Sequence, residues 1–159
     1  MKKWDYEIKY RFELVYANDE VNKSRGFAIW DLCDEIKNID PSIKEFVHIT
    51  SFRVHKDSRN RGLGHDWLKT FCDAYDDKII FVLSGAHADE YETEPSEDEY
   101  KSILNRLDRF YTQVGFVNVN QDIGQYQYKE SFIYRNKTSE KLLDSLFERR
   151  KNYESNTKA

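Results

Sequence analysis

The sequence predicts an α+β fold in which one mixed, mostly antiparallel sheet is flanked by helices. Three observations support this prediction. Residues 6–17 alternate between apolar and polar side chains, which is typical of a half-buried strand. Residues 45–54 form another strand-like run, and residues 78–83 form a continuous apolar run of the kind found in buried parallel strands. A helix-like segment at residues 65–75 separates the last two, which implies that they pair in parallel.

The segment after the first strand fits two structures. Residues 26–32 are predicted as a strand, because an apolar run follows their first glycine in hairpin order. A short helix is the alternative, since Ile29, Cys33 and Ile36 have helical spacing. A loop is predicted for residues 34–44.

The second half of the chain predicts a helix over residues 97–113. Ser96 and Glu99 have the spacing of a capping box at its start, and Gly115 is expected to end it. Two strands follow, at residues 116–119 and 128–135.

An amphipathic tail helix is predicted over residues 138–152, capped by Thr138 or Ser139. Its apolar face packs either on its own sheet or on a second subunit, so a homodimer stays open. We therefore divide the chain into one domain, residues 1–137, and a C-terminal helix and tail, residues 138–159.

Composition narrows the class of protein. The chain has 159 residues, which fits a single domain with a real core, and a formal net charge of −4, which argues against broad nucleic-acid binding. No apolar run is long enough for a membrane span, and residues 1–5 lack a signal-peptide core. The isolated Cys33 and Cys72 suggest free thiols in a reducing cytoplasm, and without a Cys-x-x-Cys or His-rich cluster no metal site is expected.

A basic, glycine-containing loop joins the strand at residues 45–54 to the following helix. Arg59, Arg61, Gly62 and Gly64 lie within it. Backbone amides of such a loop converge beside the positive end of the helix dipole, and glycine allows both a positive φ and close approach by a pyrophosphate, so the loop is suited to a phosphate. A Walker loop would need Lys and Ser/Thr after the last glycine, and a dinucleotide fingerprint would need a glycine at position 67, which is Trp.

Two motifs together resemble the GCN5-related N-acetyltransferases. The first is Arg-x-x-Gly-x-Gly at residues 59–64, and the second is Tyr-x-x-x-Gly-Phe at residues 111–116. The resemblance covers roughly residues 26–135. It implies acetyl-CoA as cosubstrate, held in a V-shaped opening between the strand that ends at Val54 and the strand at residues 78–83. It further implies that pantetheine pairs with the first of these strands and that pyrophosphate rests on the loop, which gives the expected CoA-binding residues Phe52, Arg53, Val54, Arg59, Asn60, Arg61, Gly62, Leu63, Gly64 and His65.

The chain departs from the family where the acceptor site is usually walled. Members carry two helices between their first and second strands, and little room for them exists here. Either that region is trimmed, or residues 27–37 supply a helix. Acceptor identity is therefore the least transferable property.

The resemblance also nominates two catalytic residues. Tyr111 is the candidate general acid for the leaving thiolate, and a core tyrosine is the alternative interpretation. His48, on the strand that enters the loop, is the candidate general base, and an inert strand histidine is the alternative. Clustered carboxylates over residues 89–99 would attract a cationic amine, although a solvated acidic loop has the same composition.

The predicted function is acetyl transfer from acetyl-CoA to a primary amine by direct attack in a ternary complex. The acceptor is expected to be a cationic small molecule or an amine of a protein or peptide. No nucleic acid, membrane or metal is expected to take part. The alternative is a non-catalytic protein of the same fold that binds CoA or regulates a partner.

Overall fold

The computed structural model of the chain describes residues 8–54, 62–85, 95–126 and 129–158. Within these ranges lie five strands, four α-helices and one 3-10 turn at Glu20–Ser24. The strands are β1 (Ile8–Tyr16), β2 (Glu45–Val54), β3 (Ile79–Gly85), β4 (Phe116–Asn118) and β5 (Lys129–Tyr134). The helices are α1 (Phe27–Ile39), α2 (Leu63–Ala74), α3 (Glu97–Val114) and α4 (Glu140–Lys158). None of these helices is long and apolar enough to cross a bilayer.

The strands form one mixed sheet in the order β1-β2-β3-β5-β4. β2 and β3 are parallel, and the other neighbours are antiparallel. Both the α+β class and the parallel pairing across α2 are confirmed, because a strand-helix-strand unit returns the chain in the same direction.

β2 and β3 separate before either strand ends. Their ladder runs from the pair Phe46–Ile79 to the pair Ile49–Val82. β2 then continues to Val54 still paired with β1, while β3 continues to Gly85 paired with β5. The sheet therefore opens between its two parallel strands, as expected for a splayed sheet.

A β-bulge in β2 lies at the start of this opening. Phe12 of β1 opposes Ile49, and Arg11 opposes Ser51, so Thr50 is an extra residue without an opposite partner. Val47 and Ile49 pack beneath α2 and α3, and Phe52 lies on the same side beyond the bulge. Because the bulge absorbs Thr50, Phe52 keeps the face of Ile49 and the end of β2 stays directed towards α2.

The two sheet faces carry different helices. One face packs against α1 and α4, with a core that includes Leu32, Ile36, Phe81, Leu143 and Leu146. The other face packs against α2 and α3, with a separate core that includes Val47, Leu68, Cys72, Ile80, Tyr111 and Phe132. We call these the α1 face and the α2 face.

The strand predicted for residues 26–32 is wrong, because this segment forms the first half of α1. Ile29, Leu32, Cys33 and Ile36 are all buried, so the helical spacing describes the face that packs on the sheet. The loop predicted for residues 34–44 is confirmed only for residues 40–44, because α1 continues to Ile39. The alternative in which residues 27–37 supply a helix is confirmed.

The helix after β3 starts and ends as predicted. Ser96 and Glu99 form a capping box, and Gly115, at φ 125°, follows the last residue of α3. In the tail, Leu142, Leu143 and Leu146 are buried in the core of the α1 face. The tail helix therefore packs on its own chain.

Candidate active site

The opening between β2 and β3 leads to the first turn of α2. Gly62 precedes this helix with φ 74°, a left-handed conformation that glycine adopts without strain. The Asp66 N–H donates to the Gly62 carbonyl at 3.0 Å, which is the first bond of the helix. The amides of Leu63, Gly64 and His65 precede that bond, so they have no acceptor within the helix, and no side chain of Gly62 caps them. Uncapped amides at a helix start are the kind of group to which anions bind.

Gly64 fixes the distance between α2 and the end of β2. A Cβ at this position would lie 2.6 Å from Val54 Cγ2, inside van der Waals contact. Any larger residue would push the helix start away from the strand. Gly64 thus has a packing role that the sequence did not predict, whereas the close approach of a pyrophosphate that was expected at the loop glycines stays a prediction.

The other predicted CoA-binding residues fall into two groups. Phe52 packs between Trp67 and Phe110, with ring centroids 5.5 and 6.1 Å away, and Arg53 lies opposite Lys9 of β1. Arg59, Asn60 and Arg61 lie outside the described residues, as do His55, His87 and most of the acidic segment 89–99.

The side chain of His65 is directed towards α3. Its Nε2 donates to the Gln113 carbonyl at 3.3 Å, and its Nδ1 lies 3.4 Å from a carboxylate oxygen of Asp66. His65 thereby ties the start of α2 to the end of α3. Its backbone amide remains in the first turn of α2.

Tyr111 lies beneath the opening on the α2 face. Its side chain is buried, with 4% exposed, and its ring packs 4.9 Å from that of Phe132. Burial raises the pKa of the phenol to about 12, although a hydrogen bond with Ser84 opposes the shift. Ser84 lies on β3 beyond the last residue that pairs with β2. The phenol is therefore protonated and close to the point where the strands separate.

His48 lies on the α1 face, over the ring of Phe81 at 5.7 Å. Its Nδ1 is 3.2 Å from Glu13 Oε1, and Arg25 donates to the same oxygen at 2.8 Å. An ionised carboxylate only accepts hydrogen bonds, so Nδ1 carries the proton and Nε2 is left as a proton acceptor. Burial lowers the pKa of His48, although Glu13 opposes this shift.

The pKa of Glu13 is lowered from its usual value. Burial alone would raise it, but the hydrogen bonds from Arg25 and His48 outweigh this effect. The carboxylate is thus ionised and holds the imidazole in one tautomer. Sequence reasoning did not find Glu13 or Arg25, because their proximity to His48 depends on strand register and on the path of the chain after β1.

The structure does not bring His48 and Tyr111 onto one face. His48 belongs to the α1 face through Phe81, whereas Tyr111 belongs to the α2 face through Phe132. The two side chains approach the same pair of parallel strands from opposite faces of the sheet. A molecule inserted between the separated strands would have one of them on each side.

The start of α1 crosses the opening on the α1 face. Arg25 is bound to Glu13 on β1, and three residues later the Ala28 N–H donates to the Tyr126 hydroxyl at 3.2 Å. Tyr126 lies just before β5, and β2 and β3 lie between β1 and β5 in the sheet. Phe27 is 62% exposed at this crossing, beside the Tyr126 ring. The crossing therefore presents aromatic side chains at the rim.

No family model and no curated protein sequence matches the chain. Among solved structures, the chain is similar to a crystal structure assigned to putative arylalkylamine N-acetyltransferase 7 of the yellow fever mosquito, with a TM-score of 0.46 and 13% sequence identity. The similarity covers 84% of this chain and 60% of that chain, so this chain spans less than two thirds of the length of its structural neighbour. At this TM-score the likeness carries no weight for an activity, which must be inferred from the residues of this chain.

Proposed function

We propose that this protein transfers an acetyl group from acetyl-CoA to a primary amine by direct attack within a ternary complex. One observation carries the proposal: two parallel strands separate above a buried, protonated tyrosine and lead to an uncapped helix start with one glycine before it and one in its first turn. An extended thioester with a phosphate-bearing end fits this sequence of features. Its arm needs backbone partners, its phosphates need amides, and its sulfur needs a hydrogen-bond donor.

Acetyl-CoA would lie along the edge of β2 that faces the opening. The ladder between β2 and β3 ends at Ile49, so the amides of the pantetheine arm would add alongside residues 52–54 as a further strand would. The amides of Leu63, Gly64 and His65 would receive the pyrophosphate, which the positive end of α2 also attracts. We assign Arg59, Asn60 and Arg61 to the same phosphates from the sequence.

Tyr111 would stabilise the leaving sulfur. A thiol has a pKa near 8.5, well below the value of about 12 for this phenol, so complete proton transfer to the thiolate would be uphill. A hydrogen bond from the phenol to the developing thiolate needs no such transfer. We therefore assign Tyr111 as a hydrogen-bond donor during cleavage of the C–S bond.

His48 would receive the proton of the attacking amine, directly or through water. Deprotonating an alkylamine with a pKa near 10.4 at pH 7 costs about 4–5 kcal/mol, so a neutral base beside the amine is useful. The bond between Nδ1 and Glu13 leaves Nε2 to accept that proton. The C–N bond of the amide forms as the C–S bond breaks; CoA leaves as a thiolate that takes a proton from water, and His48 returns its proton to water.

The acceptor would enter from the α1 face, opposite Tyr111. Phe27 and Tyr126 at the rim favour an amine with an apolar part, and the acidic segment 89–99 favours one with positive charge. Both small molecules and amines of proteins or peptides have these properties. The acceptor class is thus a cationic primary amine.

Calorimetry with acetyl-CoA, followed by a thiol-release assay on a panel of amines, tests the proposal. We expect acetyl-CoA to bind and at least one amine to release CoA thiol in an acetyl-CoA-dependent way. Absence of binding at near-millimolar acetyl-CoA would contradict the proposal. Binding without thiol release across the panel would favour the second candidate function, a CoA-binding regulatory protein, for which the deep burial of Tyr111 is the specific support.

A further inference from the structure

β1 presents an apolar stripe on an edge strand. Within the part of the chain that the structure describes, β1 pairs with β2 alone and ends the sheet. Four side chains of β1 share the α2 face and are exposed: Tyr10 at 47%, Phe12 at 38%, Leu14 at 42% and Tyr16 at 62%. Proteins usually protect a long apolar edge, because its free backbone groups attract another strand.

We propose that β1 pairs antiparallel with β1 of a second copy of this chain, about a two-fold axis that passes beside Phe12. Phe12 then faces Phe12 of the second copy, and Tyr10 faces Leu14. On the other face of the strand, Arg11 faces Glu13. An interface built on a two-fold axis repeats each of these contacts.

Charge selects this register. A two-fold axis that relates two antiparallel strands keeps the same face of each strand on the same side of the joined sheet. Residues that face each other must then lie on the same face of β1, so the axis always passes beside a residue. Neighbouring registers differ by moving the axis from one residue to the next. An axis beside Arg11 would oppose Arg11 to Arg11, and an axis beside Glu13 would oppose Glu13 to Glu13. Like charges directly opposite are destabilising, whereas the axis beside Phe12 gives two pairs of opposite charge.

Both charged residues are available for this contact. Arg11 is exposed and has no ion-pair partner among the described residues. Glu13 retains 37% side-chain exposure although it binds Arg25 and His48. Those two contacts both involve Oε1, which leaves Oε2 as the oxygen that would face Arg11 of the second copy.

The pairing would join two five-stranded sheets into one continuous sheet of ten strands. Phe12 already packs on Phe71 of α2 and on Tyr75, the residue after this helix, at ring-centroid distances of 5.1 and 5.7 Å, so the aromatic layer would continue across the axis. The outer edges would then be β4 of each copy, which has only three residues. Short edge strands of this kind resist further pairing.

Sedimentation equilibrium of charge variants tests the interface and its register. We expect the wild-type chain to be a dimer, and Arg11→Glu to be a monomer because the introduced carboxylate would face Glu13 of the second copy. The matched control Arg106→Glu, on an exposed position of α3, should remain a dimer. Glu13→Arg alone should also be a monomer, and an equimolar mixture of the Arg11→Glu and Glu13→Arg chains should form a heterodimer, because opposite charges then face each other again.

A cross-link provides a second, independent measurement. Cα atoms directly opposite in an antiparallel pair are about 4.5–5.5 Å apart, which a disulfide can span. Phe12→Cys should therefore cross-link to itself on oxidation, whereas the exposed Phe27→Cys should not. The native Cys33 and Cys72 are buried and do not compete. A monomeric wild type, a dimer unaffected by Arg11→Glu, or equal cross-linking of both cysteine variants would overturn the proposal.

Discussion

Helices α2 and α3 both begin with backbone amides that lack acceptors within the helix, but only α3 supplies acceptors of its own. The Ser96 hydroxyl accepts from the Glu99 N–H at 3.2 Å, and Glu97, Asp98 and Glu99 put three carboxylates in the first turn. At the start of α2, Gly62 has no side chain, and the first-turn carboxylate of Asp66 is exposed.

The difference between the two helix starts fits the phosphate site that we propose at α2. A capping box with three acidic residues neutralises the dipole and stabilises α3. Glycine at the cap of α2 forgoes only a few tenths of a kcal/mol relative to a side-chain cap, and in the function that we propose the positive end of the helix receives the pyrophosphate. The glycines on both sides of Leu63 keep that end accessible and close to β2.

The largest expected effect comes from giving α2 a carboxylate of its own. Gly62→Asp puts a negative cap on the first-turn amides and a side chain at φ 74°, so acetyl-CoA should bind at least about 100-fold more weakly, or about 2.7 kcal/mol. Calorimetry measures this loss. Ser96→Asp, which exchanges one cap for another on α3, is the control and should bind normally. Normal binding by Gly62→Asp would contradict the phosphate site.

Tyr111→Phe should separate binding from chemistry. Removing the phenol takes away the donor to the leaving sulfur, so kcat should fall about 30-fold, or about 2 kcal/mol, while the Kd for acetyl-CoA stays within about two-fold. Thiol release and calorimetry measure the two quantities. Tyr75→Phe, on an aromatic residue at the end of α2, is the matched control. Unchanged turnover would mean that Tyr111 contributes to packing and not to catalysis.

The pH dependence of stability should report His48. Its pKa in the folded protein is lowered mainly by burial, so the unfolded chain takes up the proton more readily. Stability conferred by the neutral form is present above the unfolded value of about 6.5 and is lost as pH falls towards the folded pKa, with a slope of at most about 1.4 kcal/mol per pH unit. Urea unfolding between pH 7 and pH 5 measures it. His48→Gln should flatten this part of the profile, and an unchanged slope would assign it to other groups.

The smallest effect is expected at α3. Ser96→Ala removes the cap and should lower the free energy of unfolding by about 1 kcal/mol without changing the affinity for acetyl-CoA. Urea unfolding and calorimetry measure the two quantities. A loss of affinity as large as that of Gly62→Asp would mean that the two helix starts are not functionally distinct.

Local signals were sufficient for several parts of this fold. The bounds of β2 and the capping box of α3 follow from short sequence patterns, because β-branched and aromatic runs and Ser-x-x-Glu spacing act within a few residues. The parallel pairing of β2 and β3 follows from chain connectivity. Of the two glycines of the predicted phosphate loop, Gly62 has the left-handed conformation that was expected, whereas the packing of Gly64 against Val54 has no signal in the loop sequence.

Other parts depend on contacts between distant residues. Residues 27–32 carry an apolar run that suits a strand or a helix, and only the buried face shared with Cys33 and Ile36 decides for the helix. Glu13 reaches His48 across 35 positions of sequence because β1 and β2 pair in one register. Neither the helix at residues 27–32 nor the contact between Glu13 and His48 can be predicted from the residues of a single segment. The opposite placement of His48 and Tyr111 likewise depends on how side chains alternate along β2 and which helix covers each face.

The extra residue at Thr50 makes the end of β2 tolerant both of substitution and of the loss of one residue at this position. Substituting Thr50 leaves the count of residues unchanged, so Phe52 and Val54 still point towards α2. Deleting it would leave Ile49 opposite Phe12 and Ser51 opposite Arg11 in a regular ladder, so Val54 would keep its face and its position beside Gly64. Descendants of this chain can therefore exchange or lose the residue at position 50, whereas an insertion there that forms no second bulge would carry Val54 to the α1 face.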